Sequence, residues 1–196
     1  MAKHCNCDKH TVDRHFWKLD YWDQDFFIRN TRLIMTVMYT PLAEITLGST
    51  DTDVIFANIP NTFRDLLIVG SARSGTGTTS GVRLQVNSDA SNIYSVVAMG
   101  GEGTTIYSAV ETYTAAQPLY WDTIHPTDPN AMIFQFLDYA VTDKHKTFLY
   151  RGGRAGYFTV ASANRWGSTA AISSINVYSY NGSFASGSTF VLYGVK

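Results

Sequence analysis

Val82-Arg83-Leu84-Gln85-Val86-Asn87 alternates apolar and polar residues without a break. That is the period of a strand with one buried and one wet face. Working outward from it, further short segments rich in β-branched and aromatic residues read as strands. They are Ala43–Leu47, Val54–Ala57, Leu66–Val69, Ile93–Ala98, Ala131–Ala140, Lys146–Tyr150, Tyr157–Ala161, Ile172–Tyr178 and Phe190–Val195. Between them lie turn signals: Gly100-Gly101, Gly152-Gly153, Asn181-Gly182 and the run Ser74 to Gly81, which reads as a flexible hairpin loop. Ten short strands with no long amphipathic helix pattern between them predict an all-β protein. The expected architecture is an antiparallel, jelly-roll-like β-sandwich over residues 38–196.

Residues 1–34 obey different rules. They carry 11 of the chain's 31 charged residues, and they pair aromatics at a spacing of five: Phe16-Trp17, Tyr21-Trp22 and Phe26-Phe27. Five matches neither helix nor strand periodicity, and rings interleaved with charges do not form a clean core face. Residues 1–37 are therefore expected to be a short N-terminal docking extension, with Phe16, Trp17, Tyr21, Trp22, Phe26 and Phe27 anchoring a partner. The competing reading is a short helix packed on its own domain.

Composition excludes several classes of function. A net charge of -1 gives no basic footprint for nucleic acid, and no apolar run approaches the length of a membrane span. The first residues lack the apolar stretch of a secretory signal, so synthesis in a cytoplasm is expected. The two cysteines, Cys5 and Cys7, are too close for an unstrained disulfide.

Few residue groups suggest chemistry. His4, Cys5, Cys7 and His10, with His15 nearby, offer soft ligands for zinc, but structural zinc sites draw on two separated pairs. An ordinary polar terminus and no cofactor is the expectation. The glycine run Gly70 to Gly81 lacks the lysine of a phosphate-binding loop and leads into a strand rather than a helix. Asp51 with Asp53, and Glu102 with Glu111, are acidic pairs that strand-end turns explain as well as acid–base work does. No hydrolase elbow occurs, and the chain is not expected to be an enzyme. Tyr107, Tyr113, Tyr120, Trp121 and Trp166 are candidate platforms for sugar rings. Tyr120 and Trp121 stand out because they precede the loop-like stretch His125-Pro126-Thr127-Asp128-Pro129.

Three stretches carry a resemblance. Trp166-Gly-Ser-Thr-Ala-Ala-Ile-Ser-Ser-Ile175, followed by Phe184-Ala-Ser-Gly-Ser-Thr-Phe-Val-Leu-Tyr-Gly-Val195, resembles the ending of structural proteins in tailed-bacteriophage virions, many of them from marine phages. Phe56 to Val69, with its Ile59-Pro60 step, and Val82 to Asp89 with Asn92 to Ser95 resemble earlier parts of the same group. The similarity runs from about residue 38 to residue 196. It implies a virion component such as a tail fibre, tail-tip or head decoration protein, made in the host cytoplasm. Its partners would be other virion proteins of tail or head and its own copies, as a homotrimer. The alternative is a receptor-binding module for host polysaccharide, with Tyr120 and Trp121 as the contact.

Overall fold

A computed structural model describes residues 38–117, 123–128, 130–155 and 158–196. These residues form eleven strands: β1 (Tyr39–Thr46), β2 (Asp53–Phe56), β3 (Asp65–Ala72), β4 (Gly81–Val86), β5 (Tyr94–Glu102), β6 (Thr105–Tyr113), β7 (Asn130–Leu137), β8 (Lys146–Arg154), β9 (Phe158–Trp166), β10 (Ile175–Tyr180) and β11 (Thr189–Val195). They build an eight-stranded sheet in the order β1-β11-β3-β7-β8-β9-β5-β6 and a three-stranded sheet in the order β2-β10-β4, with every pairing antiparallel.

The winding is that of a jelly roll. The first strand lies beside the last and the second beside the penultimate, while β3 and β4 take the far sides of β11 and β10. Consecutive strands at both ends of the chain therefore alternate between sheets. In place of a fourth strand on the short sheet, Ala116 bridges to β4 through Leu84 N–H to Ala116 O (2.9 Å), and Ile124 bridges to the residue just before β4 through Ser80 N–H to Ile124 O (3.0 Å).

Alternation along the strands puts one set of side chains between the sheets. Leu66, Ile68, Phe134, Phe136, Phe148, Phe190 and Leu192 of the long sheet meet Val54, Phe56, Leu84, Val86, Ile175 and Val177 of the short one, all buried. Phe136 stacks on Phe148 with ring centroids 4.9 Å apart, and Phe190 meets Phe184 edge-on at 5.1 Å. Each such side chain withdrawn from water contributes about 1.5–3 kcal/mol.

Several expectations need correction. β6 was not anticipated as a strand; its outward residues Ile106, Ser108, Val110 and Thr112 mix apolar with polar and give no clean alternation. Ser74 to Gly81 is not a hairpin loop, because β3 and β4 belong to different sheets. Its start is tied down instead by Ser74 N–H to His125 O (3.1 Å) and Gly75 N–H to Ser183 O (2.8 Å). The segment from Ala131 leaves the strand after Leu137, where Asp138 takes a positive φ of 47°. β10 begins only at Ile175 rather than Ile172.

Gly100-Gly101 and Gly152-Gly153 are not turns. They lie inside β5 and β8, on either side of Thr159 and Val160 of β9, and form a lateral row across three strands. At two of its positions an aromatic side chain lies against the glycine. A Cβ on Gly152 would collide with the Tyr150 hydroxyl, and one on Gly100 would stand 3.3 Å from the Phe158 ring. Interior strand glycines commonly mark such close approaches. The β5–β6 reversal falls instead at Gly103-Thr104, where Gly103 has a φ of +57°.

Candidate assembly surface

Strands β8, β9, β5 and β6 prolong the long sheet well beyond the width of the short one. Their inward face carries buried polar residues among the apolar ones: Lys146, Arg154, Ser162 and Asn164. Their outward face carries apolar ones. Cross-strand register lines up Val110, Val97, Ala163 and Leu149 in one row and Ser108, Met99, Ala161, Arg151 and Ile133 in the next. Val97 is 58% exposed, Met99 67% and Val110 76%. Together these rows floor a trough of about 680 Å³. A contiguous apolar patch of this kind on an outer sheet face makes it a candidate contact surface, which single exposed hydrophobics would not.

Lys146, Tyr94 and Asp89 make hydrogen bonds that hold the strands in place. Lys146 Nζ donates to the carbonyls of Val141, Lys144 (3.1 Å) and Thr169 (3.1 Å), which joins the β7–β8 and β9–β10 loops. Burial pulls its pKa below the ordinary lysine range. Tyr94 is buried, accepts from Val86 N–H (3.0 Å) and donates to Asp89 O (3.0 Å); burial pushes its phenol up to about 12. Asp89 accepts from the Ser91 hydroxyl and from Trp166 Nε1 (2.8 Å). The Ser91 hydroxyl foremost holds its carboxyl below the usual aspartate range.

Many of the residues singled out from sequence lie outside the described residues. These are the aromatics Phe16, Trp17, Tyr21, Trp22, Phe26 and Phe27, the ligand candidates His4, Cys5, Cys7 and His10, and the sugar-platform pair Tyr120 and Trp121. Among the described residues, no three His, Cys, Asp or Glu side chains gather as a metal site, and no helix is long and apolar enough to cross a membrane. Trp166 is not an exposed platform: it is 2% exposed and its indole is bonded to Asp89. Glu102 and Glu111 do not form a pair. Glu102 sits at the β5–β6 turn and accepts from Tyr107 Oη (3.4 Å), while Glu111 lies near the other end of β6 opposite Val96.

Two features were missed in the sequence. His125 Nδ1 stands 3.0 Å from Thr127 Oγ1 and 3.5 Å from Asp128 Oδ2, and Asp128 in turn lies 4.0 Å from the buried Arg154 Nε, so this loop is held by a polar network. On the outer face of the short sheet, the Arg83 guanidinium stacks 3.3 Å above the Tyr180 ring beside Tyr178. The first could not be found by spacing, because Arg154 lies on β8. The second was legible as the outward set of Val82–Asn87 and its neighbour.

No family model matches the chain, and no curated protein matches it. Among solved structures, it is similar to a protein of unknown function from Shewanella oneidensis MR-1. That alignment has 10% identity, covers 80% of this chain and 75% of the other, and gives a TM-score of 0.22.

Proposed function

We propose that this chain is a structural component of a tailed-phage virion, a jelly-roll module docked to tail or head through residues 1–37 and acting by assembly rather than by catalysis. The observation that carries the reading is the apolar outer face of β8, β9, β5 and β6, where Val97, Met99 and Val110 are built into register yet left exposed. A face of this kind suits permanent contact with other protein, since obligate interfaces resemble a core cut in half. The virion context comes from the three resembling stretches. They fall chiefly on β3, β4 and β11 and on the segment between β9 and β10, and β3 pairs with β11.

The test is location. Particles purified from lysates of the producing phage are expected to contain the chain at a fixed copy number. Deletion of residues 1–34 is expected to leave a folded protein that no longer incorporates. Recovery of the full chain only in the soluble lysate, never in particles, would overturn the reading.

A further inference from the structure

The two edges of the long sheet are built differently. At one edge, β1 carries Pro41, a register shift between Pro41 and Ala43, and the charged Glu44, all of which discourage another strand from pairing there. At the other, β6 runs for nine residues, Thr105-Ile-Tyr-Ser-Ala-Val-Glu-Thr-Tyr113, with no proline or lysine and a continuous register to β5. The two-residue turn Gly103-Thr104 sets the hydrogen-bonding phase. Glu102 and Thr105 close the hairpin as a bonded pair, so the odd-numbered residues of β6 bond to β5. The N–H and C=O groups of Ile106, Ser108, Val110 and Thr112 therefore point away from the sheet. Among the described residues no strand receives them.

We propose that β6 pairs antiparallel with β6 of a second copy, about a twofold axis through Ala109, to make one sheet continuous across two subunits. The strand is self-complementary in this register. Ile106 bonds to Thr112 of the second copy and Ser108 to Val110, so every free edge group of one β6 meets a free edge group of the other. All nine residues are paired, and the one charged side chain, Glu111, faces Tyr107 rather than another carboxylate.

The outer face argues for the same occupant. Ile106 is 86% exposed and Val110 76%. Pairing about Ala109 sets the two copies' Val110 side chains diagonally across the axis. The apolar row Val110, Val97, Ala163 and Leu149 then runs on into the second copy's row of Ser108, Met99 and Ala161. The contact is twofold, in contrast to the threefold association implied by the resemblance, and it does not depend on the virion reading. A strand pair with flanking side chains falls at the small end of specific interfaces, so dissociation on the order of micromolar is expected.

The full chain carrying Cys5→Ser and Cys7→Ser is measured by sedimentation equilibrium up to about 100 µM and is expected to form dimers. Ser108→Pro removes an outward N–H that β5 does not use, and is expected to weaken dimerisation at least about 10-fold with the fold retained. Ala109→Cys is expected to cross-link spontaneously, because facing residues of a non-bonded antiparallel pair have Cα atoms about 4.5 Å apart, within disulfide range. Thr105→Cys, placed at opposite ends of the pair, is expected not to cross-link. A monomer or a trimer throughout that range would overturn the proposal. So would a dimer that cross-links as readily at Thr105 as at Ala109.

Discussion

The two halves of the long sheet follow opposite rules. In β11, β3 and β7 the inward side chains Leu66, Ile68, Phe134, Phe190 and Leu192 are apolar and buried, with the half-buried Leu42 and Ile45 of β1 packed against the core. In β8, β9, β5 and β6, the inward face holds Lys146, Arg154, Ser162 and Asn164 among its apolar residues, while the outward face collects Val97, Met99, Val110 and Leu149. The first half is organised by a core already closed within the chain. The second leaves an apolar outer face uncovered in the single chain, the feature on which the proposed assembly rests.

Substitutions can break this contrast. Phe190→Ala is expected to cost about 3–5 kcal/mol, because the ring is fully buried against Phe184. Val97→Ser on the outer face is expected to change the monomer's stability by less than about 0.5 kcal/mol. Urea unfolding of the two variants at low protein concentration checks both, and equal losses would abolish the distinction.

The glycine row sharpens the contrast between two strands of one sheet. Gly152→Ala must displace the buried Tyr150 hydroxyl and is expected to cost about 1–3 kcal/mol. Gly101→Ala meets only Thr105 O, at 3.8 Å, and is expected to be nearly neutral. Thermal melts of both variants measure the difference.

The smallest effect concerns acid. The Asp89 carboxyl titrates below its ordinary value of 3.8 in the folded chain, so the unfolded chain binds more protons between the two values. Its contribution is present above 3.8 and is lost as pH falls through the lowered value. Asp89→Asn is therefore expected to flatten the stability-versus-pH curve below about pH 4, with little change in its slope at neutral pH. Denaturation midpoints between about pH 2 and pH 7 check it, and an unchanged acid slope would remove Asp89 from the account.

Strand type was legible wherever one face alone is buried. Val82–Asn87 reads cleanly because Val82, Leu84 and Val86 all point into the sandwich. β6 escaped because edge position relaxes the demand for apolar side chains on either face. The glycine pairs misled because local chemistry reads two adjacent glycines as a reversal, whereas here Gly152 leaves room for Tyr150 of its own strand and Gly100 for Phe158 of the neighbouring one. The apolar trough was hidden in plain alternation. Val96-Val97-Ala98-Met99 is apolar on both faces, which announces a strand but not which side stays uncovered.

The pairing order also has a consequence in time. Among the described residues, β1, β2 and β4 have no strand partner other than β10 or β11, the last of the eleven strands in chain order. The hairpins β5–β6, β7–β8 and β8–β9 join sequence neighbours. On a ribosome, those local hairpins form while the first strands wait unpaired, because contacts of long sequence separation come late. The two strands that complete the jelly roll emerge last, each sliding between partners that have been waiting since the start of the domain.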